Sequence, residues 1–300
     1  MKRFLAVALV VILGVFFFYM PARVWALVAL GRANGCTWER AEQIQKRFAD
    51  QTAIKDRLIS ESKMVQNDGK GFKHYETPHG PFWIPVGSEY VLPFNLAEQE
   101  MKIYGTGARD VQPGDVVLDC GANVGVYTRA ALKQGARLVV AIEPAPENIE
   151  CLRRTFEKEI AEGKVIVYPK GVWDKDDMLE LMVDPQNSAA DSFIIRREGA
   201  KAVAKVPLTT IDKMVDELKL DKVDYIKMDI EGAEVKALAG GRKTLERFHP
   251  RMALSVYHQA DHPVEVPRAA KAAWPGYRTG CGPCAEIDKF TLRPDVVFFY

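Results

Sequence analysis

Apolar runs of two lengths alternate with amphipathic stretches along this 300-residue chain, and their periods predict its elements. The longest run, Phe4 to Met20, follows a basic Met1-Lys2-Arg3 start. At 1.5 Å per residue it covers about 25 Å, slightly short of a bilayer core. Continuing through Pro21-Ala22-Arg23 to Leu30 gives length to spare, with one Arg placed to snorkel. Residues 1–32 are therefore expected to form an N-terminal transmembrane anchor. Small residues at Ala29, Gly31 and Ala33 would suit a cleavage site, but so long a stretch favours an uncleaved single-pass anchor.

Residues 33–110 predict a helical stalk and a small cap. Trp38, Ala41, Ile44, Phe48, Ile54 and Leu58 recur at helical spacing. Residues 71–86 alternate and turn at Pro78-His79-Gly80-Pro81, a β-hairpin in which His74 and His79 read as exposed histidines. Asn95 to Tyr104 has a helical pattern. From Asp115 strands and helices alternate through Arg137–Ile142, Pro146–Ile160 and Lys164–Tyr168, which predicts a doubly wound α/β domain over 111–300 with a mostly parallel sheet. Met178–Val183 and Ser192–Ile195 read as an inserted antiparallel pair.

Within that pattern, Val116-Val117-Leu118-Asp119-Cys120-Gly121-Ala122-Asn123-Val124-Gly125 reads as a buried strand, a tight turn and a helix start. Backbone N–H groups at such a helix start favour an anionic ligand group. A dinucleotide loop needs Gly-x-Gly-x-x-Gly, whose middle glycine makes room for a pyrophosphate. Here that place holds Ala122 or Asn123, and Asp119 precedes the first glycine. Asp-x-Gly-x-Asn-x-Gly suits a ligand bearing an ammonium and a carboxylate, as S-adenosyl-L-methionine does. Asp119, Gly121, Asn123 and Gly125 are the expected holders of its methionine part. The strand Leu138–Ile142 ends at Glu143-Pro144, where a carboxylate commonly meets ribose hydroxyls. Trp173, after the third strand, is placed to stack on an adenine or to fill core.

Composition changes little. A net charge of +1 gives no reason to propose a nucleic-acid partner. Five cysteines in so long a chain do not make a disulfide framework, and Cys281 and Cys284 read as two free thiols on a loop.

A second informative stretch is Val223-Asp224-Tyr225-Ile226-Lys227-Met228-Asp229-Ile230-Glu231-Gly232-Ala233-Glu234, again a strand ending in carboxylates and glycine. Met252–Tyr257 is a further strand, followed by His258. Strands thus end at Asp119, Glu143, Asp229/Glu231 and His258, and in an open parallel sheet such ends share the ligand-binding edge.

These two stretches, with Glu143-Pro144 and Pro207-Leu208-Thr209-Thr210-Ile211-Asp212, resemble the FkbM-type methyltransferases over roughly residues 110–260. The resemblance implies a class I, Rossmann-like methyltransferase fold, a seven-stranded sheet with a reversed last hairpin. It also implies O-methylation of a hydroxyl on a small molecule, sugar, glycolipid or natural product. The family often ends the later strand Glu-x-His, whereas here it ends Ser255-Val256-Tyr257-His258. In-line displacement at a sulfonium methyl asks the protein to position the reactants and to help deprotonate the acceptor. Asp229 and Glu231 are expected to face the transferring methyl or the acceptor. His258 is the expected general base, with Glu231 or Glu234 as substitutes. No metal is expected, because the sequence names no third fixed ligand. A cofactor made in the cytosol places the catalytic domain in the cytoplasm. A nicotinamide oxidoreductase and a non-catalytic tethered binding protein are the alternatives.

Overall fold

The computed structural model describes residues 11, 12, 14–183 and 201–300. In chain order the strands are Lys63–Asn67 (β1), Phe72–Thr77 (β2), Gly80–Pro85 (β3), Val116–Cys120 (β4), Leu138–Ile142 (β5), Val165–Tyr168 (β6), Gly171–Val172 (β7), Asp177–Val183 (β8), Lys201–Thr209 (β9), Tyr225–Met228 (β10), Arg251–Ser255 (β11), Thr279–Cys281 (β12), Cys284–Asp288 (β13), Thr291–Pro294 (β14) and Val296–Phe299 (β15). Seven form one sheet in the order β12-β15-β11-β10-β4-β5-β6. Its neighbours run parallel except around β15, which is antiparallel to β11 and β12. That is the mostly parallel sheet with a reversed last hairpin that the resemblance implied.

Helices cover both faces, so the central strands are continuous apolar runs rather than alternating ones. Every residue of β4 and of β10 is buried. From β4 the chain crosses to β5 on one side, and it later returns to β10 on the other. The switch between β4 and β10 opens a crevice at their carboxyl ends.

The hairpin over 71–86 is present as β2–β3, with Thr77 opposite Gly80 across the turn. β1 adds a third antiparallel strand. Helix Val91–Glu100 starts earlier than the sequence reading had it, because Val91, Leu92, Leu96 and Ala97 are its buried face. It stops at Glu100, and Lys102 is left-handed at φ 52°. The inserted pair is β8 with β9; Ser192–Ile195 lie outside the described residues.

Two N-terminal expectations change. Residues 1–10 and 13 of the anchor lie outside the described residues, and among those described no helix is long and apolar enough to cross a membrane. Helix Met20–Ala29 instead docks on the hairpin β13–β14, with Val24, Leu27 and Leu292 in one buried cluster. Arg23 does not snorkel. It is buried, pairs with Glu286 and donates to the carbonyls of Phe16 and Phe17. Cys284 is not a free thiol either. It forms a disulfide with Cys36, 248 residues away, while Cys120, Cys151 and Cys281 are free. The Cys-x-x-Cys spacing reflected neighbours on a turn, and the real partner was invisible at that separation.

Candidate active site

The site is built where β4 and β10 end. Gly121 follows β4 at φ 77°, and a Cβ there would collide with the Asp229 carbonyl, so only glycine lets the two strand ends close on each other. The N–H groups of Gly121 and Ala122 both donate to the Ile142 carbonyl at 3.0 Å. Asn123 is left-handed at φ 49°, and its N–H donates to Glu143 Oε2 at 2.8 Å. The Ala145 N–H donates to Glu143 Oε1 at 2.9 Å. Burial pushes the Glu143 carboxyl up to about 7, although both N–H donors pull the other way.

Asp119 and Gly125 do not line the cavity. Asp119 is fully buried; its Oδ2 accepts from Thr128 Oγ1 at 2.7 Å and its Oδ1 lies 3.3 Å from Lys227 Nζ. The parallel register sets Lys227 directly opposite Asp119. Lys227 is thus the group that faces the ligand space, and Asp119 holds it there. Gly125, at φ 92°, serves packing: a Cβ would strike the Phe156 ring. Pro144 carries the chain from Glu143 into helix Pro146–Thr155 and does not line the cavity. Trp173 also lies outside it. Its N–H donates to the Thr209 carbonyl, and the Lys236 ammonium sits 5.8 Å from its ring.

After β10 the chain makes a strained turn, with Glu231 left-handed at φ 54° and Gly232 at φ 101°. A left-handed glutamate is uncommon, and such positions concentrate at functional sites. The turn brings Asp229, Glu231 and Glu234 around one imidazole. His258 Nε2 is 3.3 Å from Asp229 Oδ1 and 3.3 Å from Glu231 Oε1. Its Nδ1 is 2.9 Å from Glu234 Oε1, and the second oxygen of Glu234 lies 3.3 Å from His262 Nδ1. Asp229 Oδ2 accepts from the Tyr104 hydroxyl at 2.8 Å, and Oδ1 from Tyr257 at 3.3 Å.

The sequence reading gave His258 its ordinary titration range, and the surroundings do not. Burial lowers its pKa, but the carboxylates of Glu231, Glu234 and Asp229 outweigh it and raise the value well above the usual one. A ring held protonated is a poor proton acceptor at neutral pH. Glu234 is fully buried and also accepts from the Ile230 N–H, so it orients His258 and does not reach an acceptor.

Asp229, Glu231 and Lys227 share a cavity of about 360 Å³ with the loop Gly121–Asn123. Its other wall is helix Val91–Glu100, which contributes Asn95 and Glu98. A second cavity, of about 540 Å³, adjoins it through Glu98 and Tyr257 and runs out past Arg47, Phe48 and Met20. Burial, with the charges of Asp229 and Asp295, pushes the Glu98 carboxyl up to about 8. Sequence reasoning missed Lys227, Glu98, Tyr104 and Tyr257. For Lys227 a signal existed, a lone charge inside an otherwise apolar strand; the other three enter by tertiary packing.

Loop and cation fit a ligand carrying an amino-acid carboxylate. Glu143 is buried and, like Asp119, does not line the cavity. Its carboxylate is bonded by the Asn123 and Ala145 N–H groups and by Asn148, and it adjoins the cavity only through the Asn123 backbone. The Lys227 ammonium faces the cavity.

Comparison with known proteins agrees. The profile of the Methyltransferase FkbM domain matches residues 119–271, just over half of the chain. Among curated proteins, the 2-O-methyltransferase NoeI of Sinorhizobium fredii is 28% identical over 154 residues, 45% of this chain and 61% of that protein. The hexuronic acid methyltransferase AglP of Haloferax volcanii is 26% identical over 138 residues, 46% of this chain and 54% of that protein. The chain thus spans roughly half to three-fifths of the curated relatives it matches. A solved FkbM methyltransferase from Methylobacillus flagellatus aligns over 92% of this chain and 65% of that one, at 17% identity and a TM-score of 0.49. The chain belongs to the FkbM methyltransferase family.

Proposed function

We propose that this chain is an S-adenosylmethionine-dependent methyltransferase that O-methylates a sugar hydroxyl, on a free glycan or a lipid-linked one. The observation that carries this reading is the shared cavity, in which the cofactor loop Gly121–Asn123 and the acidic turn at Asp229 and Glu231 face each other under one cap helix. The names of the two curated relatives, a 2-O-methyltransferase and a hexuronic acid methyltransferase, support a sugar acceptor. Polar groups around the second cavity, Gln45, Arg47 and Gln51, suit hydroxyl-rich ligands.

S-adenosylmethionine supplies an electrophilic methyl on a sulfonium. Lys227 pairs with its carboxylate and Glu143 accepts from its ribose hydroxyls. Asp229 and Glu231 orient the acceptor hydroxyl. An O–C bond forms, the C–S bond breaks, and its electron pair stays on sulfur. Glu98, facing the same space with a carboxyl near the working pH, takes the hydroxyl proton. Incubating the purified chain with methyl-labelled cofactor and a panel of glycosides, uronic acids included, tests the reading. Label entering only protein or nucleic acid overturns it.

Glu143 makes cofactor affinity depend on pH. Before binding, its carboxyl is half protonated near pH 7, and ribose hydroxyls need the carboxylate as acceptor. Below that pH, binding must release a proton, so affinity is expected to fall about tenfold per pH unit. Calorimetry in buffers of different ionisation enthalpy reads the released proton. A dissociation constant flat from about pH 8 to about pH 5.5 removes Glu143 from the ribose.

Membrane attachment through the apolar run from Phe4, with the catalytic domain on the cytoplasmic side, is also proposed. Full-length chain is expected to sediment with membranes and to resist salt washing, since apolar contact is not screened. A cytoplasmic domain further requires Cys36 and Cys284 to be thiols in the cell, because disulfides persist in oxidising compartments. Maleimide labelling before extraction decides the side: labelled cysteines agree with the cytoplasm, and an intact disulfide contradicts it.

A further inference from the structure

We infer that the acceptor is a phosphorylated sugar, whose phosphate binds in a third cavity beside Arg40, Lys46 and Arg47. The inference rests on the sugar-acceptor reading above and deepens it. The first observation is continuity. Glu98 and Tyr257 line both the cofactor cavity and the second one. Arg47 and Cys284 in turn line both the second cavity and a third, of about 390 Å³. Three spaces thus follow one another from the Gly121–Asn123 loop past Glu98 to Arg47. A ligand with its reacting hydroxyl at Glu98 and its ring in the second cavity reaches the third with its next substituent.

The second observation is charge. The whole chain is nearly balanced, with 41 basic and 40 acidic residues. The third cavity is not: Arg40, Lys46 and Arg47 line it against one carboxylate, Asp50. Arg47 Nη1 lies 2.5 Å from Asp295 Oδ2, so counting both acids against the three cations still leaves one positive charge. The side chains of Arg40 and Lys46 enter no ion pair among the described residues. Arg47 Nε is buried and makes no hydrogen bond among them either.

The sequence builds this lining deliberately close to one helix face. Arg40, Gln43, Arg47 and Asp50 recur at intervals of three, four and three across helices Trp38–Glu42 and Ile44–Glu61. Gln43, between the two helices, stays right-handed at φ −80° and ψ −9°, which carries that spacing over the join. Lys46 adds its ammonium beside this row, and Pro283 and Met101 complete the lining.

The chemistry of the cations selects the anion. A carboxylate on the sugar ring would meet Arg47 first, where Asp295 already occupies one end of the guanidinium. It would leave Arg40 and Lys46 without a role. A phosphodiester carries one negative charge, equal to the excess, and its tetrahedral oxygens can engage two guanidinium forks and an ammonium together. Such a group stands one bond outside the ring, where the third cavity adjoins the second.

Inorganic phosphate is the probe, added to full chain preloaded with S-adenosylhomocysteine so that Lys227 is occupied. Calorimetry is expected to show one saturable site with a dissociation constant of about 10⁻⁴ to 10⁻³ M. Arg40→Gln and Lys46→Gln should each weaken it about threefold or more, and the double variant about tenfold or more. Affinity for S-adenosylhomocysteine should stay within about twofold in all three. Lys46 is exposed, so its replacement leaves folding intact. Displacement of phosphate by UDP-glucose assigns a soluble sugar nucleotide as the source, and displacement by phosphatidylcholine vesicles carrying undecaprenyl phosphate assigns a lipid-linked sugar. Glucuronate that binds with the same dependence on Arg40 and Lys46, where phosphate does not, overturns the phosphate assignment. Wild-type chain that methylates plain glycosides yet binds no phosphate up to about 10 mM overturns the site and leaves sugar methylation standing. Phosphate binding that both variants weaken, with no methyl entering any sugar, leaves the site standing and removes the acceptor reading instead.

Discussion

His258→Gln is expected to lower turnover about a hundredfold while S-adenosylmethionine affinity stays within about twofold. The two readouts separate because His258 touches only the acceptor side. Its contacts are Asp229, Glu231 and Glu234, and none of them lies on the Gly121–Asn123 loop. Removing the ring unpins the oxygens of Asp229 and Glu231 that face the cavity and strands Glu234 in a buried position. Glutamine keeps much of the volume, so the expected loss is chemical more than steric. A purely structural histidine would behave differently: melting temperature would drop and kcat would survive. A folded variant with near-normal kcat therefore removes His258 from the reaction.

Lys227→Met is expected to cost about 3–5 kcal/mol of stability at neutral pH, because it leaves the Asp119 carboxylate buried without its cation. Asp119 is 0% exposed, and its remaining partner is the Thr128 hydroxyl. Burial already raises the Asp119 carboxyl, with Lys227 the chief restraint, so losing Lys227 raises it further. A carboxyl with a folded pKa above its unfolded one is stabilising while protonated, and that stability is lost as pH rises through the folded pKa. The variant should accordingly approach wild type below the unfolded carboxyl value, near about pH 4, and lose stability as pH rises from there through the raised folded value. The double variant Asp119→Asn/Lys227→Met should recover most of the loss, since replacing both charges removes the uncompensated one. Urea melts of the three variants at two pH values measure the coupling. Strict additivity would mean that the two residues do not act as a pair.

What the sequence made legible follows from local rules. β4, its glycine turn and the Asp-Ile-Glu-Gly-Ala-Glu turn after β10 could be placed because apolar runs, carboxylates and glycines occur in a fixed order. The edge where they meet followed from parallel topology. Direct cofactor contact by Asp119 did not survive, because the register gives Asp119 to Lys227, and register is a property of two strands together. Glu98 was unreadable: on its own helix it is one polar residue among several, and only packing turns it toward Asp229. The titration of His258 was misjudged for the same reason, since three carboxylates reach it from another segment. The docking of helix Met20–Ala29 on the body was unreadable because burial against β13–β14 and burial in lipid select the same apolar side chains. One buried arginine distinguishes them, and its partner Glu286 lies 263 positions away.

That docking has a consequence for biosynthesis. Helix Met20–Ala29 packs on Ala41 and Ile44 nearby, but the partners that tie it to β13–β14, Glu286 and Leu292, and the disulfide from Cys36 to Cys284 lie near the opposite end of the chain. A ribosome adding about 5–20 residues per second needs roughly 10–50 s to make the intervening 248 residues. Throughout that interval Val24 and Leu27 have only nearby residues such as Ala41 and Ile44 to pack against, and Arg23 lacks Glu286. Translation thus opens a timed window in which a lipid surface or a chaperone competes for the nascent helix. The emergence of β13–β14 closes it, so the slowest step in committing this segment to one destination is written into the order of the message itself.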